Sequence, residues 1–328
     1  CLSGTHATIE QRLRVIRTLL LSDDAKQRNL GLMALKAALE AWYFSSNYGF
    51  DFGARSRDHG YWPRTRTEAK HWFALTLNLS EALAGSDGPV AQDVRAAVAE
   101  KFRGLWTVAT MYDELERVCR TISGKQFWTE GWLAVRQTIH FDSKNFMPEI
   151  SARLASLEDL LRPRDLVQKV RSIVLSNRLT GVDLDDCEDD SSTADSQVGG
   201  ARAEAVAERL GKTVAADELA FGELLAEMVS GAGRLWSFGR GLAGGASDLN
   251  VILKRLVDQL AATREGQGNV EVLRGYLHAL HARYPELANV LLDDALQNET
   301  LAPWYPVLQT AVGCDKQGVA RLMRSLAP

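Results

Sequence analysis

The sequence has few features of a membrane protein or of a secreted, disulfide-rich protein. None of its apolar runs approaches the ~18 residues that a membrane-spanning helix requires. Its four cysteines, Cys1, Cys119, Cys187 and Cys314, are far apart and show no paired spacing, which favours a reducing compartment. The first residues also lack a signal-peptide pattern. We therefore expect a cytoplasmic protein and, because position 1 is not methionine, a piece of a longer chain.

The sequence also lacks strand signals and a basic patch. No segment alternates apolar and polar residues between hairpin turns, and valine and isoleucine are scattered through helical registers. The formal net charge is −4, with 46% hydrophobic and 24% charged residues, as in ordinary globular proteins. Without a cluster of lysine and arginine, nucleic-acid binding is disfavoured. The composition predicts an all-α protein.

Motifs that would indicate catalysis or a cofactor are missing or incomplete. Residues 239–244, GRGLAG, match the letters of a dinucleotide-binding loop, but no strand precedes them. We interpret them as a turn between helices. No Walker lysine motif and no nucleophile elbow occur in the chain. The sequence therefore assigns no catalytic residue and no cofactor site.

Two groups of residues resemble metal ligands only superficially. His278 and His281 lie three positions apart on a predicted helix, but a zinc site would need further ligands that the surrounding sequence does not supply. Seven acidic residues fall between Asp183 and Asp195 without any lysine or arginine. They lack the glycine and glutamate positions of a calcium loop, so we interpret them as a solvated linker. No metal site is predicted.

Helical periodicity extends along most of the chain. Ile9, Leu13, Ile16 and Leu20 predict a first helix over about 8–21. The second helix follows a cap at Ser22–Asp24, and its apolar face is predicted to include Leu32, Leu35, Leu39 and Trp42. Further helices are predicted near 65–84, 89–107, 115–122, 128–139, 150–161, 166–179, 201–210, 216–229, 249–262, 270–283, 285–296 and 316–326.

This pattern favours an irregular α-solenoid of HEAT-like helix pairs, because a single core rarely grows beyond ~250 residues. Two helical bundles joined by an acidic linker are the alternative. In either arrangement, we predict an N-terminal part over 1–182, an acidic linker over 183–200 and a C-terminal part over 201–328.

One long loop, over 44–64, interrupts the helices. It combines the aromatic residues Tyr48, Phe50, Phe52, Tyr61 and Trp62 with three glycines and several charged residues. A loop of this length inside a compact domain is generally functional or disordered. One interpretation is a structural loop whose aromatic side chains are buried. The other is a protein-binding surface, since interface hot spots are rich in Trp, Tyr and Arg. The candidate contacts are Arg55, Arg57, Asp58, His59, Tyr61 and Trp62.

The same loop carries a resemblance to a known group of proteins. Residues 51–63, DFGARSRDHGYWP, followed by the pair Trp72–Phe73, resemble a segment in the C-terminal helical regions of large bacterial NTPases of the STAND type and of related anti-phage defence proteins. The preceding helix, over 23–42, resembles a HEAT repeat. The resemblance implies a sensor or scaffold portion, with nucleotide binding and effector activity located upstream.

Two main functions follow as hypotheses. The first is a non-catalytic scaffold that binds a protein partner, either a phage protein or another part of the same longer chain. The alternative is an all-α enzyme with a scattered active site near the 51–63 loop, using Arg55, Asp58 and His59. A pocket that converges on this loop would favour the enzyme, whereas an open groove would favour the scaffold.

Overall fold

The computed structural model describes residues 6–43, 63–176 and 196–326, with side chains from 201 onward in the last range. These ranges contain 16 α-helices and two 3-10 helices and no β-strand. The predicted all-α class is therefore confirmed. None of the helices in these ranges has the length and apolarity needed to cross a bilayer. The chain divides into two compact units, residues 1–162 and 163–328.

The described residues of the first unit form seven α-helices. They are α1 (Ile9–Leu20), α2 (Ala25–Ala38), α3 (Arg66–Ala84), α4 (Pro89–Thr107), α5 (Tyr112–Ser123), α6 (Thr129–Asp142) and α7 (Pro148–Leu161). Short polar side chains begin several of them: Thr8, Asp24 and Thr65 accept hydrogen bonds from backbone N–H groups of the first turns of α1, α2 and α3. Asp24 lies in the cap predicted at Ser22–Asp24. A 3-10 turn, Ser143–Asn145, follows α6.

Helices of the first unit pack with the helix two positions along the chain. The odd-numbered helices contact one another in the order α1, α3, α5, α7, and the even-numbered helices in the order α2, α4, α6. Adjacent helices such as α1 and α2, or α3 and α4, connect the two sets. The unit is thus built as two layers of helices, with Trp72, Phe102 and Trp106 fully buried.

Polar side-chain contacts, two of them ion pairs, join each step of the odd-numbered layer. His71 Nε2 of α3 lies 3.3 Å from Glu10 Oε1 of α1. Arg117 of α5 and Arg153 of α7 each lie 2.6 Å from a glutamate on the preceding odd-numbered helix, Glu81 and Glu116 respectively. Most of these side chains are partly exposed, so each pair contributes ~0–1 kcal/mol to the free energy of unfolding.

Nine α-helices are formed by the residues of the second unit that the structure describes. They are α8 (Leu166–Ile173), α9 (Ser196–Ala215), α10 (Glu218–Ser230), α11 (Leu235–Gly245), α12 (Leu249–Ala262), α13 (Glu271–Arg283), α14 (Pro285–Ala295), α15 (Tyr305–Gln309) and α16 (Lys316–Ser325). As in the first unit, helices contact the helix two positions along the chain: α11 contacts α9 and α13, and α10 contacts α8 and α12. Phe221, Phe238 and Tyr276 are buried in its hydrophobic core.

The glycine-rich run at 239–244 lies inside α11, so our interpretation of it as a turn is wrong. Two of its glycines face the backbones of neighbouring helices. A Cβ atom on Gly239 would lie 2.1 Å from the Val272 carbonyl oxygen of α13, and one on Gly241 would lie 2.0 Å from the Glu208 carbonyl oxygen of α9. Only glycine permits this approach, as in the small-residue interfaces of tightly packed helix pairs.

The opposing helices carry matching glycines. A Cβ on Gly211 of α9 would lie 2.2 Å from the Phe238 carbonyl oxygen, and one on Gly275 of α13 would lie 1.9 Å from that of Trp236. In each case the Cα hydrogen that replaces the side chain points at a carbonyl oxygen, the arrangement of a weak Cα–H···O hydrogen bond. The three helices α9, α11 and α13 are therefore packed backbone to backbone.

Other predictions need correction at the helix ends. Helix α2 ends at Ala38, and Trp42 is half-exposed and does not belong to its apolar face. Helix α9 begins at Ser196, before the predicted start at 201, and continues to Ala215. Helix α8, which we placed in the N-terminal part, contacts α9 and α10 of the second unit. Most of the predicted linker, 183–195, lies outside the described residues.

Candidate functional site

A group of aromatic residues around an arginine is exposed where α2, α4 and α6 end. The group consists of Trp42, just after α2, Arg103 in the last turns of α4, and Phe141 near the end of α6. The rings of Trp42 and Phe141 are half-exposed, with residue exposures of 51% and 56%. We call these three residues the aromatic–arginine patch.

Arg103 lies close to both aromatic rings. Its guanidinium carbon is 5.6 Å from the centroid of the Trp42 ring and 4.8 Å from that of Phe141. Both distances fall within the range of cation–π attraction, which contributes ~0.5–1 kcal/mol at an exposed site. The arginine thus holds two exposed aromatic side chains in a defined arrangement.

A carboxylate fixes the orientation of the arginine. Arg103 donates from Nε to Asp142 Oδ2 at 2.6 Å and from Nη2 to Asp142 Oδ1 at 3.0 Å. This bidentate pairing is directional. The hydrogen bonds that Arg103 donates to Asp142 raise the pKa of Arg103, although partial burial acts in the opposite direction. The guanidinium plane is therefore held in place before any partner arrives.

A glycine of α4 makes room for the indole ring of Trp42. A Cβ atom on Gly104 would lie 2.8 Å from Cδ1 and Nε1 of Trp42. The backbone N–H of Trp42 donates to Glu40 Oε1 at 3.0 Å, and the other oxygen of Glu40 lies 2.8 Å from Lys101 Nζ. The chain after α2 is thus attached to α4 by an aromatic contact and by an ion pair.

The patch adjoins the loop that the sequence analysis singled out. Trp42 and the exposed Tyr43 immediately precede residue 44, where the described part of the chain is interrupted until 63. The predicted contact residues lie within this interval, so they are outside the described residues: Arg55, Arg57, Asp58, His59, Tyr61 and Trp62. Their role stays a prediction.

Sequence reasoning did not find the patch. Arg103 and Phe141 are 38 positions apart, and nothing in their local sequence marks either as exposed. The available signal was at Trp42–Tyr43, where two aromatic residues stand directly before a glycine-rich segment. Helical periodicity placed Trp42 on a buried face, and this concealed the signal.

Of the two histidines on α13, His278 has structural contacts. His278 Nδ1 lies 2.9 Å from the Ala311 carbonyl oxygen, and its ring is 5.2 Å from that of Trp236. In the described parts of the chain, no three His, Cys, Asp or Glu side chains come together as a metal site would require. The predicted acidic run, Asp183–Asp190, lies outside these parts.

Comparison of the chain with protein-family models, with curated proteins and with solved structures gives no match.

Proposed function

We propose that the chain is a non-catalytic, protein-binding helical scaffold. The observation that carries this proposal is the contact of Arg103 with two half-exposed aromatic rings. Interface hot spots are enriched in tryptophan, tyrosine and arginine. Aromatic rings that are already ordered lose little conformational entropy on binding, so a preorganised patch binds more tightly than a mobile one.

The proposed architecture is an irregular α-solenoid of HEAT-like helix pairs. Support comes from the packing of each unit, in which helices contact the helix two positions along the chain. Stacked helix pairs contact only their neighbours in this way, and they present extended surfaces for partners. The patch would lie at the end of three successive even-numbered helices, α2, α4 and α6, which is a surface of this kind.

We further propose that the scaffold is the sensor section of a larger bacterial anti-phage defence protein of the STAND type. This step rests on the resemblance of residues 51–63 and on their position next to the patch. The partner would then be a phage protein or another part of the same longer chain. A Walker lysine motif encoded upstream in the same gene would support this step, and its absence would contradict it without affecting the proposal of protein binding.

Paired substitutions test the binding proposal. Wild-type protein, a Trp42→Ala/Phe141→Ala variant and a Tyr284→Ala control would be used to capture partners from phage-infected source cells. Tyr284 is also a half-exposed aromatic residue, but it lies in the second unit. We expect a partner that binds wild type and the control but not the patch variant, and that rebinds as a purified protein. Equal capture by all three proteins would contradict the proposal.

The loop is tested separately by an Arg55→Ala/Arg57→Ala variant. If the loop is a recognition surface, partner binding falls while the thermal unfolding midpoint stays that of wild type. If instead the midpoint falls and binding survives, the loop is structural and its six predicted contacts are wrong.

A further inference from the structure

A polar cleft lies on the first unit, apart from the aromatic–arginine patch. It has a volume of about 390 Å³ and is formed by the turn between α3 and α4 and by the turn between α5 and α6. This volume is within the range of small-molecule sites, ~300–1,000 Å³. The polar residues and tryptophan that line it include Asp87, Gln92, Arg95, Gln126, Trp128 and Glu130.

Two helices begin at this cleft without a side-chain cap. The N-cap residue of α4 is Gly88, and that of α6 is Trp128, and neither side chain accepts a hydrogen bond from the following turn. The first N–H groups of a helix have no acceptor within the helix. They also carry the positive end of the helix dipole. Both termini therefore favour a negatively charged group.

A buried arginine faces the same space. Arg95 is only 7% exposed and donates from Nε to the Ala84 carbonyl oxygen at 2.8 Å and from Nη2 to that of Ser86 at 3.1 Å. Its second terminal nitrogen, Nη1, has no acceptor among the described residues, and no described carboxylate pairs with the guanidinium. A buried charge is costly unless it is paired.

A second buried donor lacks an acceptor. Trp128 is 2% exposed, and its Nε1 has no hydrogen-bond partner among the described residues. Leaving a buried N–H group unpaired costs ~1–3 kcal/mol. Trp106 is the other tryptophan in the described chain with such an N–H group, but its ring packs edge-on against Tyr112 at 4.8 Å and is not part of the cleft. Trp128 thus lines the cleft, and its indole N–H is a buried donor without a partner.

The cleft also carries acceptors. Asp87 and Glu130 line it, together with the side-chain amides of Gln92 and Gln126. The two carboxylates would repel a simple anion such as phosphate, but they would attract an amino group next to a carboxylate. The arginine, the indole and the two helix N-termini are suited to the carboxylate.

We propose that this cleft binds a small ligand that carries a carboxylate and an adjacent amino group, as a free amino acid does. The carboxylate lies between Arg95 and the first turn of α6, where the indole N–H of Trp128 donates to it. The amino group faces Asp87 and Glu130. The ligand thus pairs the buried arginine and the buried indole.

The first test uses protein labelled with ¹⁵N at the tryptophan indoles. Glycine is titrated, with acetate, methylammonium and sodium chloride at equal ionic strength as comparisons. We expect glycine to shift the Trp128 indole signal saturably, with acetate and methylammonium at least fivefold weaker, and to leave the Trp106 signal in place. No saturable shift with glycine would overturn the proposal. Equal binding of acetate would also overturn it, because a simple anion site would then suffice.

Variants test the assigned contacts, with the Gly131 amide of α6 as the reporter of binding. We expect Trp128→Phe to weaken glycine binding about fivefold, since it removes one hydrogen bond, whereas Trp106→Phe leaves the affinity unchanged. Glu130→Gln should weaken glycine binding but not acetate binding. Glu114→Gln, in the first turn of α5, is its matched control. Equal affinities for glycine in all four variants would overturn the assignment.

Discussion

Gly241 of α11 and Glu208 of α9 are in direct backbone contact: a Cβ atom on Gly241 would lie 2.0 Å from the Glu208 carbonyl oxygen. This contact explains why a glycine-rich run forms a helix. Glycine costs ~1 kcal/mol relative to alanine in a helix interior, but here each glycine permits a close approach to α9 or α13. Packing therefore outweighs intrinsic propensity in α11.

We predict that Gly241→Ala destabilises the second unit. The added methyl group forces α9 and α11 apart, and overpacking of this kind costs ~1–3 kcal/mol of unfolding free energy. Urea denaturation followed by circular dichroism would measure the change.

Gly222→Ala is the matched control. Gly222 also lies in a helix interior, in α10, but the nearest atom to an added Cβ is a side-chain nitrogen of Arg255 at 3.6 Å. We expect this variant to be up to about 1 kcal/mol more stable than wild type, because alanine has the higher helix propensity. A stabilising effect at both positions would show that the α9–α11 contact is not as close as described.

The contrast between α11 and other helices shows what the sequence could predict. The apolar spacing of Leu249, Ile252, Leu256 and Leu260 located α12 correctly, and Asp248 caps it. Such helices bury one face only, so their periodicity is visible in the sequence. Gly239 and Gly241 face different neighbours, and no local pattern shows that carbonyl groups from distant helices will approach them.

The aromatic–arginine patch was harder to predict from the sequence for a related reason. A residue's exposure depends on which helix ends meet, and the ends of α2, α4 and α6 are brought together by packing between residues dozens of positions apart. The pairing of Arg103 with Asp142 is one result. The sequence identified the neighbouring loop because glycine and aromatic residues are a local signal, but it gave no indication of Arg103.

We predict that Asp293 makes the second unit sensitive to acid. Hydrogen bonds from Arg321 lower the pKa of Asp293 from 3.8 to about 2, with a further contribution from Arg324. Because the folded-state pKa is lowered, the associated stability is present above pH ~4 and is lost as the pH falls toward 2. The carboxylate side chain is 40% exposed, so we expect a loss of only about 1 kcal/mol.

Asp293→Asn tests this prediction. The variant should be less stable than wild type at pH 7, where Arg321 is buried and loses its ion pair, and the difference should shrink between pH 4 and pH 2. Asp294→Asn is the control, because Asp294 is an exposed neighbour. Its stability should equal that of wild type at every pH. A difference that stays constant with pH would mean that the pKa of Asp293 is not lowered.

We predict that Cys119 is unreactive in the folded protein. Burial raises its pKa to about 12, and the nearby Glu116 acts in the same direction. The thiolate is the reactive species, so the thiol should resist labelling at pH 8. Cys314, by contrast, is exposed.

The measurement uses a Cys1→Ser/Cys187→Ser background, so that only these two thiols remain. Ellman's reagent should react rapidly with one thiol per chain in buffer and with two in urea. Replacing Cys314 with serine as well should remove the rapid phase. Two rapid thiols in buffer would contradict the buried position of Cys119 in α5.

Thr110 provides a last test of backbone geometry. Its φ angle is 55°, in the left-handed region, and it is the one residue besides glycine with positive φ in the described parts of the chain. The turn is fixed by the N–H groups on either side: Ala109 donates to the Gly104 carbonyl oxygen at 3.1 Å and Met111 to that of Leu105 at 3.0 Å. A β-branched residue in this conformation is strained by ~1–2 kcal/mol.

Relief of this strain should stabilise the first unit. We expect Thr110→Asn to raise the free energy of unfolding by about 0.5–1 kcal/mol, since asparagine adopts the left-handed conformation more readily. Thr110→Gly should give a similar gain, reduced by the greater entropy of glycine in the unfolded chain. Thr18→Gly, within helix α1, should instead be destabilising. If both Thr110 variants lowered stability, side-chain contacts of Thr110 would have to outweigh the strain, and the turn would depend on threonine itself.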